Sequence, residues 1–172
     1  MTTMKFTPRQ LYLAGFLASV GLMAAALVFQ YVIGLVPCPL CIVQRWFVIA
    51  IGVVLLAAAL HNPRAVGQRL YGLAVMVFAL LGAAVAGRHV WIEHQPPESL
   101  GCGADLEYML QNFPLLKTVT LLWAGTSDCA TVTWRFLGFS MASWMVLCFA
   151  GFAVLGVALT VYAKSASAAP RS

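Results

Sequence analysis

The sequence predicts an all-α membrane protein: a four-transmembrane-helix bundle with one long outward loop that carries a short interfacial helix. Three observations predict it. Of the 172 residues, 62% are apolar and 9% charged, where soluble domains carry about 25% charged residues. Four apolar stretches are each long enough to cross a hydrocarbon core of roughly 30 Å, which takes about 20 helical residues. The one long segment left between them holds an apolar run too short to span.

The spans fall at residues 11–33, 42–60, 70–90 and 142–163. The first has the basic start and apolar run of a signal peptide. Its length and Pro37 just before Cys38 fit a retained helix better. Arg45 lies one turn inside the second span and can snorkel to the interface. The breaks are Pro37-Cys38-Pro39, His61-Asn62-Pro63-Arg64 and the mixed segment 91–141. No second domain is left over, so residues 1–172 form one membrane domain.

Charge sets the orientation. Lys5, Arg9, Arg64, Arg69, Lys164 and Arg171 share one face, and basic residues in short loops stay cytoplasmic. The other face carries every acid in the chain: Glu93, Glu98, Asp105, Glu107 and Asp128. Both termini are therefore expected in the cytoplasm, with residues 34–41 and 91–141 outside. The net charge of +5 is dispersed and makes no basic patch, which sets nucleic acid aside as a partner.

Within segment 91–141, residues 113–123 are apolar with Lys117, Thr118 and Thr120 interspersed and Trp123 at the end. This pattern predicts a segment lying in the interface plane, helical after Pro114, or a cap over the bundle.

Four of the five cysteines face outward, where disulfides persist. Cys38-Pro39-Leu40-Cys41 is a C-x-x-C pair at the start of the second helix, where the helix dipole and unpaired N–H groups favour a thiolate. A structural bond closing so small a ring would constrain little of the unfolded chain. A zinc site would need two further ligands, and no second C-x-x-C or H-x-x-H is present. Redox chemistry is the expectation, with no metal.

Arg45 follows Cys41 by one turn on the same helix face, where it can favour a thiolate and hold a carbonyl-bearing acceptor, or serve as an interface anchor beside Trp46. Gln44 adds a neutral hydrogen-bonding group at that depth. Cys102 and Cys129 share the outward loop. A bond between them could be a static staple worth ~3–4 kcal/mol by loop closure, or an exchanging pair opened to a partner by Gly101 and Gly103. His89 and His94 end the third span, and either can be an anchor. His94 is the candidate donor to an acceptor. His61 is a helix-end residue, and Cys148, alone inside span four, a small apolar filler.

The combination of four spans, Cys38-Pro39-Leu40-Cys41 with Gln44-Arg45, Glu93-His94 after span three, and Cys102 and Cys129 in one outward loop resembles the DsbB family of bacterial inner-membrane thiol oxidoreductases. The resemblance runs from the first span through Trp134-Arg135-Phe136-Leu137-Gly138. It implies an enzyme that reoxidises the periplasmic dithiol oxidase DsbA and passes the electrons to a membrane quinone, ubiquinone or menaquinone, and so to the respiratory chain. By position, Cys38 and Cys41 look like the quinone-proximal disulfide and Cys102 and Cys129 like the disulfide that meets DsbA. Arg45, with Gln44 and His94, looks like the quinone-binding group. The implied relay starts with DsbA attacking Cys102. The freed Cys129 attacks Cys38, and Cys41, released beside Arg45, donates to the quinone. Cys148 has no place in the family pattern.

Two rival readings differ in class. A vitamin K epoxide reductase-like quinone reductase uses a similar bundle, but there the C-x-x-C follows the loop pair in the chain. A non-catalytic scaffold stabilised by disulfides would leave Arg45 and the glycines around Cys102 unexplained.

Overall fold

A computed structural model of the chain describes residues 7–96, 100, 106–131 and 134–168, with side chains as far as 163. Four helices are long and apolar enough to cross a membrane: α1 (Pro8–Tyr31), α2 (Pro39–His61), α3 (Ala65–Ile92) and α7 (Met141–Ala168), the last apolar through Ala163. Between α3 and α7 come α4 (Leu106–Asn112), α5 (Leu115–Ala124), α6 (Ser127–Ala130) and the strands β1 (Arg135–Phe136) and β2 (Phe139–Ser140). Each expected span lies within or largely overlaps one of the long helices.

Local chemistry sets the helix ends. Thr7 and Gln10 form a capping box on α1, with Pro8 in the first turn. Cys38 caps α2, its sulfur accepting from the Cys41 N–H at 3.4 Å. Asn62 ends α2 in the left-handed region at φ 42°, which Asn tolerates, and Pro63 prevents continuation. Ser140 accepts from the Ser143 N–H at 3.2 Å and starts α7.

The bundle is held by shape. α3 packs most extensively on α7, and α2 on α1 and α3. A Cβ on Gly72 would stand 3.0 Å from the Gly156 carbonyl oxygen, and one on Gly156 2.8 Å from that of Gly72, so the two backbones touch there. Higher up, Gly82 takes the ring of Phe149. Small residues permit this contact where lipid offers no hydrophobic drive between helices. Tyr12, Ile51, Leu55, Val75, Ala79, Phe149 and Leu159 fill the centre, while Leu17, Val53, Leu60, Leu70 and Val154 stay exposed on the outer surface. Helices apolar on every side, with large aliphatic residues exposed on the outer surface, are what a lipid surround requires.

The long loop folds back over one end of the bundle. α5 begins after Pro114, as expected, and exposes Leu115, Leu116, Val119 and Trp123. Its far end is tied to α3 by Arg88, whose Nε–H donates to the Trp123 carbonyl at 2.9 Å. Gly125, at φ 88°, then turns the chain against Ile92, where a Cβ would stand 2.5 Å from the Ile92 side chain. After α6, Leu137 and Gly138, both at positive φ, close a two-residue hairpin that the sequence reading did not anticipate. Its Trp134 and Phe136 rings stack and meet Phe29 and Trp144.

Candidate active site

Three elements deliver sulfur to one place. Cys38 caps α2, Cys41 sits in its first turn, and Cys129 lies in α6, which the Arg88 tie and the Gly125 turn set over the ends of α2 and α3. Cys38, Leu40, Ile92, Cys129 and Ala130 form a second buried cluster, with Cys41, Val85 and Leu100 packed against it. Cys38, Cys41 and Cys129 are free thiols, and Cys38 Sγ is 2.9 Å from Cys41 Sγ. Cys38 Sγ, Cys129 Sγ and a His89 ring nitrogen lie within 4.8 Å of one another.

His89 joins the sulfurs from α3. Its Nε2 is 3.7 Å from Cys38 Sγ, and its Nδ1 is 4.0 Å from Cys41 Sγ and 3.3 Å from Gln44 Nε2. With the Gln44 amide donating to Nδ1, the ring proton belongs on Nε2, facing Cys38. Gln44 is buried at 3% exposure, so this pairing satisfies a polar group that burial would otherwise penalise.

The electrostatics separate Cys38 from Cys129. Cys38 donates to Cys129 and thereby holds the Cys129 thiol down to about 6, helped by the Thr126 hydroxyl 3.5 Å away and by backbone hydrogen bonds from Thr126 and Leu40, against the opposing effect of burial. The same hydrogen bonds, to Cys129 and to Cys41, together with burial, push Cys38 far above the ordinary thiol range. Cys129 is thus a thiolate near neutral pH, aimed at Cys38.

Two hollows flank the sulfurs. One, small and partly open, is lined by Leu22, Met23, Ala26, Val48, Met141 and Met145, with Cys41, Gln44, Arg45 and His89 along its polar side. The other is a groove lined by Cys38, Cys41, His89, Arg45, Glu93, Asp128 and Trp134. Arg45 shares both walls with Cys41, as its helical spacing predicted. Its guanidinium hydrogen bonds run to α1, to Gln30 Oε1 and, at 3.2 Å, to the Ala26 carbonyl.

The fold therefore gathers Cys38, Cys41, Cys129, Gln44 and Arg45. It does not gather His94, which is exposed beyond the end of α3 with its ring on the Val90 carbonyl at 2.7 Å. His89, the earlier of the two histidines, occupies the place beside the sulfurs. On α3 it continues the buried stripe of Val75, Ala79, Gly82 and Ala86 at helical spacing, which the sequence does not set apart because Ala74, Ala83, Ala84 and Gly87 put small residues on the other faces too. Thr126 was also missed, and nothing in its sequence context marks it. Cys102 lies outside the described residues, although Leu100 packs against the sulfur cluster. Cys148 is half-buried in α7, distant in the chain from the other cysteines.

A multi-pass helical bundle that brings exchangeable thiols together at the end of its spans belongs to the class of membrane thiol–disulfide oxidoreductases. Comparison with known proteins narrows the class. The family model described as Disulfide bond formation protein DsbB matches residues 8–159. A "Disulfide bond formation protein B" of Methylococcus capsulatus is 51% identical over 144 residues, covering 83% of this chain and 88% of that protein. Proteins of the same name from Saccharophagus degradans and an Azoarcus species are 45% and 42% identical, each covering 87% of this chain and 90% of the relative. The chain belongs to the DsbB family, and it is a membrane disulfide oxidoreductase acting in disulfide bond formation.

Proposed function

We propose that this protein reoxidises a DsbA-like periplasmic dithiol oxidase and delivers the electrons to the membrane quinone pool. It does so from the bacterial inner membrane, with both termini cytoplasmic and the active cysteines periplasmic. The observation that carries this reading is the placement of Cys38 between two sulfurs, Cys41 at 2.9 Å and Cys129 within 4.8 Å. A sulfur that must break one disulfide while forming another needs such neighbours.

A thiolate of the reduced partner attacks Cys102 in the Cys102–Cys129 disulfide, giving a mixed disulfide and releasing Cys129 as a thiolate. Cys129 attacks Cys38, breaking Cys38–Cys41 and releasing Cys41 as a thiolate. The partner's second thiolate attacks the mixed disulfide, so the partner leaves as a disulfide and Cys102 is released as a thiolate. Cys102 attacks Cys129 in the Cys38–Cys129 bond, re-forming Cys102–Cys129 and releasing Cys38 as a thiolate, which closes on Cys41 as the electron pair of the Cys38–Cys41 couple passes to the acceptor. The sum is partner dithiol plus quinone to partner disulfide plus quinol.

The hollow beside Cys41 suits a quinone ring by its lining, which is apolar on most sides and polar only along the edge where Cys41, Gln44, Arg45 and His89 stand. A quinone bound there supplies the two-electron sink. The chain's residues hold it, with Arg45 as charged donor and Gln44 keeping the His89 ring oriented toward the sulfurs.

The test is steady-state oxidation of a reduced DsbA-type protein by the reconstituted enzyme with ubiquinone-1 or a menaquinone analogue. Catalytic loss of quinone is expected. Cys102→Ser should stop partner oxidation, and Cys41→Ser, which has no Cys38–Cys41 bond to open, should allow one exchange between Cys102–Cys129 and the partner but no quinone reduction. Continued quinone reduction by the partner in Cys38→Ser would overturn the relay.

A further inference from the structure

We infer that the reduced protein carries a binding site for a soft divalent cation such as zinc, built from Cys38, Cys129 and His89, with Cys41 at its edge. Cys38 and Cys129 are buried, His89 is buried beside them, and one ligand atom of each lies within 4.8 Å of the others. Around tetrahedral zinc, with Zn–S about 2.3 Å and Zn–N about 2.0–2.1 Å, ligand atoms stand roughly 3.5–3.8 Å apart. His89 Nε2 and Cys38 Sγ already meet that spacing at 3.7 Å. The remaining separations close with a shift of roughly 1 Å or less.

Approach and support are also in place. The groove that opens onto Cys38, Cys41 and His89 is lined by the carboxylates of Glu93 and Asp128, which favour a cation over an anion, with Arg45 as the opposing charge. For Nε2 to ligate, the ring proton moves to Nδ1. The Gln44 carboxamide then turns its oxygen to accept it, as ligating histidines require of their neighbours. Ligand thiols give up protons on binding, and no electron moves.

The sequence argued against a metal because C-x-x-C had no partner pair along the chain. Here the missing ligands come from α3 and α6. Soft thiolate and imidazole donors select zinc or cadmium over calcium or magnesium. The site shares residues with the relay and so deepens that reading: a thiolate held by a cation cannot attack a disulfide, and a disulfide cannot hold the cation. Zinc would therefore bind only the reduced enzyme and stall its turnover.

The experiment uses the full-length protein in detergent, reduced, freed of reductant without oxygen, and titrated with Zn²⁺ or Cd²⁺ alone. Binding is read by metal content after dialysis and by the cadmium–thiolate absorption band. One cation per reduced chain is expected, with none on the oxidised chain. Cys129→Ser and His89→Gln should each weaken binding about 10–100-fold, while Cys148→Ser binds as the parent does. Helical circular dichroism and the elution profile check that each variant is folded. Equal affinity in parent, Cys129→Ser and His89→Gln, or binding by the oxidised chain, would overturn the site. Quinone-linked turnover is measured on the same parental sample. Turnover without cation binding removes the site and leaves the relay, and binding without turnover does the reverse.

Discussion

His89 Nε2 stands 3.7 Å from Cys38 Sγ, joining the end of the third long helix to the cap of the second. A ring N–H in that position stabilises the negative charge that builds on Cys38 when the Cys38–Cys129 bond opens and Cys38 leaves as a thiolate. Hydrogen bonds to charged groups are worth ~1.5–3 kcal/mol. His89→Ala should therefore lower quinone-linked turnover about 10–100-fold, while His94→Ala, whose ring only meets the Val90 carbonyl, should leave it near parental. Equal losses in the two variants, measured as kcat with reduced partner, would reject the assignment of His89.

Cys129 should remain reactive well below the pH at which ordinary thiols lose their nucleophile. A lowered pKa favours the thiolate, so in the reduced protein with chelator present its alkylation rate should rise with a midpoint near pH 6 and stay level above it. The ordinary thiol midpoint is about 8.5. Cys38→Ala removes the largest cause of the shift, and Thr126→Val the next favourable one, so both midpoints should move up, Cys38→Ala further. Site-resolved alkylation by mass spectrometry reads all three. A parental midpoint in the ordinary range would refute the electrostatic assignment.

Arg45 should govern the acceptor step. Arg45→Lys keeps the charge but loses the fork that holds Gln30 and the Ala26 carbonyl. It should raise the apparent KM for quinone about tenfold, a loss of ~1.4 kcal/mol. Arg45→Met should raise it further, while exchange between Cys102 and the partner stays near parental. Unchanged kinetics in both across all quinone concentrations would reduce Arg45 to an anchor.

The contact between Gly72 and Gly156 should be the least forgiving in the bundle. Gly72→Leu drives a side chain into the facing backbone of α7 and should cost at least ~1–3 kcal/mol, lowering the unfolding temperature in detergent. Gly87→Ala, in the same helix with open space at its Cβ, should leave that temperature unchanged.

Much of this protein was legible in the sequence. The spans followed from uninterrupted apolar length, α5 from Pro114, and the closeness of Cys38 and Cys41 from their four-residue spacing, because each of these depends on neighbours along the chain. Which face of each span turns inward did not follow. A helix that is apolar all round has no polar face to set against an apolar one, so His89 and His94 could not be told apart by contrast. Only packing of α3 on α7 and α2 decided that His89 points at the sulfurs and His94 does not. Tertiary structure likewise decided that Gln44 serves His89, that Arg45 is braced by α1, and that Cys129 comes within 4.8 Å of Cys38 from far along the chain. The physical reason is the same in each case: sulfur exchange needs ångström-scale proximity between distant segments, and that is set by how backbones interlock at Gly72, Gly125 and Gly156 rather than by residue spacing.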